Sequence, residues 1–303
     1  MTADVLITEV SLRDGLQIEP VVVPTADKID FGRMLVEAGF RHLEVGSFVD
    51  PRRVPTMADS AEVVAGLADA GATSHALVLN ERGAQRAVAA GARHVRLVLS
   101  ASDGHSRSNA GVPTEEAMAR IGRAAEILRD GGVGLEGCIA TAFVCPFDGD
   151  TPADRVVRVA RHYAELGVEV LHLADTIGAA SPGDIRRAVT AVGEVFPVER
   201  TGLHLHATYG MASANAWEAF RCGIRRFDAA LGGLGGCPFA PGATGNIAAD
   251  DLIHLFHREG VRTGIDTSRL AALRDRLAEL VGHPLPSALA QIPAAPAAPR
   301  QAA

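Results

Sequence analysis

EAGFRHLEV at residues 37–45, AAGARHVRLVL at 89–99, ELGVEVLHL at 165–173 and RCGIRRFDAAL at 221–231 repeat one pattern. A helical stretch ends, a glycine follows, one or two polar residues intervene, and a short apolar run begins. Glycine suits the position after a helix, where positive φ is cheap, and the apolar run then reads as the next strand. Extended along the chain, this reading predicts strands at 5–10, 41–45, 74–79, 93–99, 134–142, 168–173, 201–206 and 226–230. Segments of helical period fall between them, at about 25–38, 57–69, 81–90, 114–130, 152–166, 182–195, 211–222 and 247–258. Eight strands alternating with helices predict an α/β fold, a (β/α)₈ TIM barrel. An open doubly wound sheet is the alternative, but no GxGxxG turn follows the first strand. The expected organisation is a barrel over 1–260, a C-terminal helical extension over 261–290 (an amphipathic helix near 267–281), and a disordered Pro/Ala-rich tail over 291–303.

Composition fits. The chain has 303 residues, 48% of them hydrophobic and 4% aromatic, so its core must be built from Ala, Val, Leu and Ile. Such residues suit a parallel sheet covered on both faces. A net charge of −7 argues against nucleic acid as a partner. Four scattered cysteines make neither a disulfide framework nor a CxxC pair. With no signal-like leader and no apolar run long enough to span a bilayer, the expectation is a soluble cytoplasmic protein without a membrane partner.

Barrel enzymes place their chemistry at the C-terminal ends of the strands, and here those ends are polar. Strand one runs into SLRDG, strand two into EVGS, strand six into LADT and strand seven into HLHAT. His204 and His206, at i and i+2 on a strand, share a face. Alone, the pair would equally suit a hydrogen-bonded polar pair. With Asp14 and Asn246 on other strand ends, it points to a metal site, and the mixed N/O donors suit Mg²⁺ or Mn²⁺, with Co²⁺ or Zn²⁺ as substitutes. Arg13, beside Asp14, can hold an oxyanion in a fixed fork. Glu44 and Asp175, also at strand ends, are candidates for catalytic or structural carboxylates. The loop LGGLGGCPFAPGATGN at 231–246 reads as a lid that carries Cys237 to the mouth.

Six segments carry a family resemblance: EVSLRDGLQIE at 9–19, EVGSFVDPRRVPTMAD at 44–59, CPFDG at 145–149, ADTIG at 174–178, HLHATYG at 204–210 and GGLGGCPFAPGATGN at 232–246. In this order and spacing they resemble 3-hydroxy-3-methylglutaryl-CoA lyases. These are metal-dependent aldolase-like barrels related to isopropylmalate synthase, and the glycine-rich Cys-Pro loop separates lyases from synthases. The resemblance implies Asp14, His204, His206 and Asn246 as metal ligands, and Arg13 as the group that steadies the thioester carbonyl as it becomes an enolate. It further implies Cys237 as the lid cysteine, with Glu44, Asp175 and His204 needed for turnover. The implied reaction is cleavage of 3-hydroxy-3-methylglutaryl-CoA to acetoacetate and acetyl-CoA, with an acyl-CoA as the small-molecule partner and a possible homo-oligomer.

The chain also departs from the family pattern. Ala207 stands where Asp or Asn is usual, and Ile18, Glu19 and Pro20 stand where the lyases read Asn and Glu-Lys. Gly46 replaces a common Thr, and GHPLPS near the C-terminus lacks the Lys/Asn group expected near CoA. These departures favour a related hydroxyacyl thioester or hydroxy acid as an alternative substrate. A non-catalytic barrel subunit is the remaining alternative, opposed by the intact ligand set.

Overall fold

Each glycine-led apolar run is a strand of one closed parallel barrel in the computed structural model, which describes residues 3–236 and 245–292. The strands are β1 (Leu6–Glu9), β2 (His42–Ser47), β3 (Thr73–Val78), β4 (His94–Ser100), β5 (Gly134–Ala140), β6 (Val170–Asp175), β7 (Thr201–Leu205) and β8 (Arg226–Ala229). Every strand pairs with its neighbours in sequence, and the barrel closes where β1 pairs with β8 from Leu6–Arg226 to Glu9–Ala229. Gly39, Gly91, Gly167 and Gly223, the glycines of the repeated pattern, all have positive φ. A side chain there would strain the turn that hands each helix to the next strand.

Among the described residues, ten α-helices surround the strands: α1 (Thr25–Glu37), α2 (Ser60–Leu67), α3 (Glu81–Ala89), α4 (Asp103–Ala110), α5 (Thr114–Asp130), α6 (Ala153–Glu165), α7 (Pro182–Val192), α8 (Ala212–Arg221), α9 (Ala249–Arg258) and α10 (Leu270–Val281). The buried face of α5 is built from small and branched apolar residues, among them Ile121, Ala124, Ala125 and Leu128. Starts are well specified where the sequence supplies a cap. At α7, Ser181 accepts from the Asp184 N–H, Asp184 accepts from the Ser181 N–H, and Pro182 needs no intrahelical donor.

Local features depart from the expectation at several points. Helix α2 is shorter than 57–69 because Pro55–Met57 forms a separate 3₁₀ turn ahead of it. Helix α4 lies in a region read as loop. β5 ends at Ala140, two residues early, because Thr141 turns into the left-handed region at φ 52°. That conformation is held by Thr176 Oγ1, which accepts the Thr141 N–H at 2.7 Å, and by the Thr151 hydroxyl, which donates to the Thr141 carbonyl at 2.8 Å.

The C-terminal residues return to the barrel mouth. Arg276 on α10 pairs with Asp27 on α1 at 2.6 Å. Beyond the helix, the Ser287 N–H donates to the Gly232 carbonyl at 2.9 Å and the Ser287 hydroxyl to Asp250 at 2.7 Å. Asp250 also accepts the Gly232 N–H at 2.9 Å, so the chain's last described segment fixes the root of the loop after β8. Residues 293–303 of the expected tail lie outside the described residues, as do residues 237–244 of the glycine-rich loop.

Candidate metal centre and active site

Ser11–Gly15 leaves β1 as a single turn of π-type helix, which turns Arg13 and Asp14 toward the mouth of the barrel. Two strands along the barrel, β7 carries His204 near its end, and His206 follows directly. Their Nε2 atoms are 3.2 Å apart, and Asp14 Oδ2 is 3.8 Å from the first and 3.5 Å from the second. Donor atoms bound side by side to one small divalent ion stand about 3 Å apart, so these three residues could hold an ion between them. Asn246 joins from the far side of the glycine-rich loop through a bridge to His206, and its Nδ2 donates to Asp14 Oδ2 at 2.8 Å. Asn246 Oδ1 is buried with no hydrogen-bond partner among the described residues, the state of an oxygen left for a cation. Burial alone would raise the Asp14 carboxyl, but the Arg13 guanidinium and the two histidines hold it well below the usual carboxylate range.

Arg13 is itself clamped. Its Nε donates to Glu44 Oε2 at 2.6 Å, its Nη2 lies 2.5 Å from the same oxygen, and its Nη1 meets Asp14 Oδ1. A bulge between Glu44 and Gly46 in β2 fits the Glu44 side chain to this position, where it is wholly buried. The guanidinium plane is therefore fixed by two carboxylates, Glu44 on β2 and Asp14 on the turn after β1, before any substrate arrives.

Beneath this layer lies a charged lumen that the apolar reading of the core missed. Arg96 on β4 is 1% exposed and bonds Asp228 on β8 at 2.5 Å and Glu136 on β5 at 3.1 Å. His172 on β6 sits within 3.2 Å of both Arg96 and Asp228. Asp228 then reaches up to His204 Nδ1 at 3.2 Å, fixing the ring whose Nε2 faces His206 and Asp14. That contact orients His204 without help from Ala207, whose backbone N–H instead donates to the Gly245 carbonyl at 3.0 Å. Burial opposes ionisation of Asp228, yet Arg96 and His172 keep its carboxyl well below the ordinary value. The sequence signal was present: a charged or imidazole side chain sits mid-strand among apolar residues in HVRLVLS (Arg96), GLEGCIA (Glu136), VLHLAD (His172) and RFDA (Asp228).

Asp175 ends β6 and accepts backbone N–H groups from Ala179 at 3.0 Å and Ala180 at 3.1 Å. Burial pushes its carboxyl up to about 6 against those bonds. Its visible work is to shape the loop at the barrel rim. Glu9, not singled out in the sequence, is a second buried carboxylate, raised by burial to about 7, which accepts N–H groups from Ser11 and Leu231. Cys237, the expected lid cysteine, lies outside the described residues.

A cavity of about 830 Å³ opens over the whole arrangement, lined by Arg13, Asp14, His204 and His206 at its base. Ile18, Glu19 and Pro20, the departures in the first motif, form part of its rim. Glu19 accepts from His283 at 2.9 Å, so the GHPLPS segment reaches that same rim. A buried histidine absent from the sequence expectations, His105 on α4, also lines the cavity.

Fold and site together define a (β/α)₈-barrel enzyme with a candidate divalent-metal centre at the C-terminal mouth of the strands. The chain belongs to the HMGL-like family, whose model matches residues 4–277. It is 44% identical, over 93% of each chain, to (R)-citramalyl-CoA lyase of Chloroflexus aurantiacus. It is 36% identical to a hydroxymethylglutaryl-CoA lyase of Bacillus subtilis, over 95% of this chain and 97% of the relative. Among solved structures, it superposes with a TM-score of 0.91 on an HMG-CoA lyase from Acenitobacter baumannii in complex with coenzyme A and 3-methylmalate, at 42% identity over 96% of each chain. The protein is a carbon–carbon lyase.

Proposed function

We propose that this lyase cleaves 3-hydroxy-3-methylglutaryl-CoA to acetoacetate and acetyl-CoA. The observation that carries the reading is the clamped Arg13 set beside the Asp14–His204–His206 cluster in one cavity. Asp14, His204 and His206, with the Asn246 side-chain oxygen, would hold Mg²⁺ or Mn²⁺. Such an ion supplies Lewis acidity, which polarises substrate oxygens and lowers the pKa of a bound hydroxyl.

Arg13 does the work that no carboxylate can. Of its five N–H donors, those not turned to Glu44 and Asp14 meet the thioester carbonyl oxygen. When the C2–C3 bond breaks, its electron pair passes to C2 and the negative charge collects on that oxygen, where a pre-fixed guanidinium stabilises it most. The hydroxyl proton leaves to a base in the cavity as the C3–O bond becomes a ketone. Proton return to C2 completes acetyl-CoA. Glu44 and Asp175 act as positioning residues, one on Arg13 and the other on the rim loop.

Cleavage of citramalyl-CoA to pyruvate and acetyl-CoA is the second reading, favoured by the 44% identity to the C. aurantiacus enzyme. The bond broken and the residues used are the same. Metal-reconstituted protein should be incubated with a panel of 3-hydroxyacyl-CoAs and the products identified by mass spectrometry. Acetoacetate with acetyl-CoA supports the first reading, and pyruvate as the preferred product supports the second. Failure to cleave any member would overturn both.

A further inference from the structure

Three of the four repeated segments carry arginine two places after their glycine: GFRH at 39–42, GARH at 91–94 and GIRR at 223–226. The turn needs the glycine and the strand needs the apolar run, but neither needs a cation between them. Each of these arginines immediately precedes a strand, so the set lies at the N-terminal face of the barrel, opposite the candidate metal centre. Arg93 there pairs with Asp69 at 3.7 Å, whereas Arg41, Arg225 and Arg226 form no ion pair among the described residues. On β8, Asp228 faces the lumen, so half-buried Arg226, two residues earlier, faces it too, one layer nearer that end. A second cavity, of about 350 Å³, opens against the seam where β1 pairs with β8, and Arg41, Arg225 and Arg226 all line it. Arg225 is already fixed. Its Nη1 donates to the Phe220 and Ile224 carbonyls at 2.8 Å each, and its guanidinium lies 4.1 Å from the centre of the Phe220 ring. Two acids share the lining: Asp4 is taken by Arg262, at 2.6 and 3.0 Å, and Glu199 pairs with no cation among the described residues. Val5, Ile7 and Phe40, all buried, supply an apolar part of the wall.

We propose that this cavity binds a small aliphatic carboxylate, its charged end on the Arg41, Arg225 and Arg226 guanidinium groups and its hydrocarbon body against Val5, Ile7 and Phe40. Three cations and one unpaired acid around a concave wall concentrate positive potential, in a chain whose net charge is −7. Guanidinium forks match the two oxygens of a carboxylate, and the apolar wall adds a reason to prefer an organic acid over a bare inorganic anion. The cavity has under half the volume of the catalytic one, so it suits a small acid and not a coenzyme thioester. Arg226 and Leu6 are register partners across the closing seam, and Arg41 leads into β2 on the other side of β1. A ligand held by both arginines ties β8, β1 and β2 together and stabilises the closed barrel as its occupancy rises. The inference goes beyond the lyase reading and does not rest on it.

The test measures calorimetric binding and thermal melting of the Mg²⁺-loaded protein with butyrate, butyramide and inorganic phosphate at fixed ionic strength. Butyrate should bind saturably and raise the melting temperature. Butyramide, with the same body and no charge, should do neither, and phosphate should bind more weakly than butyrate. Arg226→Gln should cut butyrate affinity about 10- to 100-fold, the size of a hydrogen bond between charged groups. Arg41→Gln, at an exposed position, should lose several-fold and serves as the second probe if the Arg226 variant melts early. Arg13→Gln, at the far end of the barrel, should bind butyrate as wild type does. Butyrate affinity unchanged in both N-terminal-face variants, or lost in Arg13→Gln, would place the acid in the catalytic cavity and overturn the proposal. Equal binding of butyramide or phosphate would overturn the carboxylate assignment. Cleavage is not read in any arm, so failure here leaves the proposed reaction untouched.

Discussion

Arg13 and Asp14 are neighbours in sequence, and their place at the barrel mouth was legible because they follow an apolar strand directly. His204 and His206 were legible for the same reason, aided by their shared face. Asp228 was not. A single acid inside an apolar strand carries no local mark of its function, which depends on Arg96 arriving from 132 positions away. The structure makes Asp228 a positioning residue for His204, and this sets two expectations. Asp228→Asn should weaken metal binding about 10- to 100-fold, as loss of an imidazole's outer partner does, read by titration of the apo-protein. Arg13→Gln should leave metal affinity nearly intact while kcat falls by about 10³, since the missing contact is made to charge that exists chiefly in the transition state. Ordinary turnover in that variant would assign Arg13 to structure alone.

Repeating glycine-led runs made the strands readable, while some ends differed, as at β6, read as 168–173 and found at Val170–Asp175, and at β5, where a hydroxyl network intervenes. Thr141 illustrates the β5 case, since no residue type signals left-handed backbone held by partners at 151 and 176. Helix α4 was missed because its buried residues are His105 and Ser106, which make no apolar stripe for periodicity to find. The bulge in β2 explains a family departure. A Cβ at Gly46 would lie 2.6 Å from Ser60 Oγ and 2.7 Å from Ser60 Cβ, at the start of α2. Ser60 Oγ in turn accepts the Ser47 N–H and donates to the Met57 carbonyl. Gly46→Thr should therefore destabilise the protein by about 1–3 kcal/mol, the usual cost of overpacking, and displace Glu44 from Arg13. Thermal melting and kcat measured together check this, and a variant with unchanged melting would show that α2 can retreat freely.

At the scale of the whole molecule, composition foretold an aliphatic interior, and the layer between strands and helices is one. The lumen is ionic instead, because its inward positions are few enough that Arg96, Glu136, His172 and Asp228 barely alter the composition. That layer makes stability depend on acid in a definite direction. The Asp228 carboxyl lies well below 3.8 in the folded chain, so its contribution is complete above that value and is lost as pH falls beneath it. Wild type should melt progressively earlier below about pH 4. Asp228→Asn should start lower at neutral pH, by roughly 3–5 kcal/mol for a buried cation stripped of its partner, and the gap should narrow as acid protonates the wild-type group. A gap of constant size from neutral pH down to about pH 2.5 would place the acid sensitivity elsewhere. The closure of β1 on β8 has one more consequence, in the order of synthesis. While a ribosome is still making residues before Arg226, β1 has no partner on one side, and the growing sheet carries two bare edges. Arg13 and Asp14 emerge long before β8, yet their mouth stays incomplete until Ser287 has been made and has met Gly232. Until then the nascent chain is an open, sticky sheet without a working site, and it acquires its seal and its chemistry together.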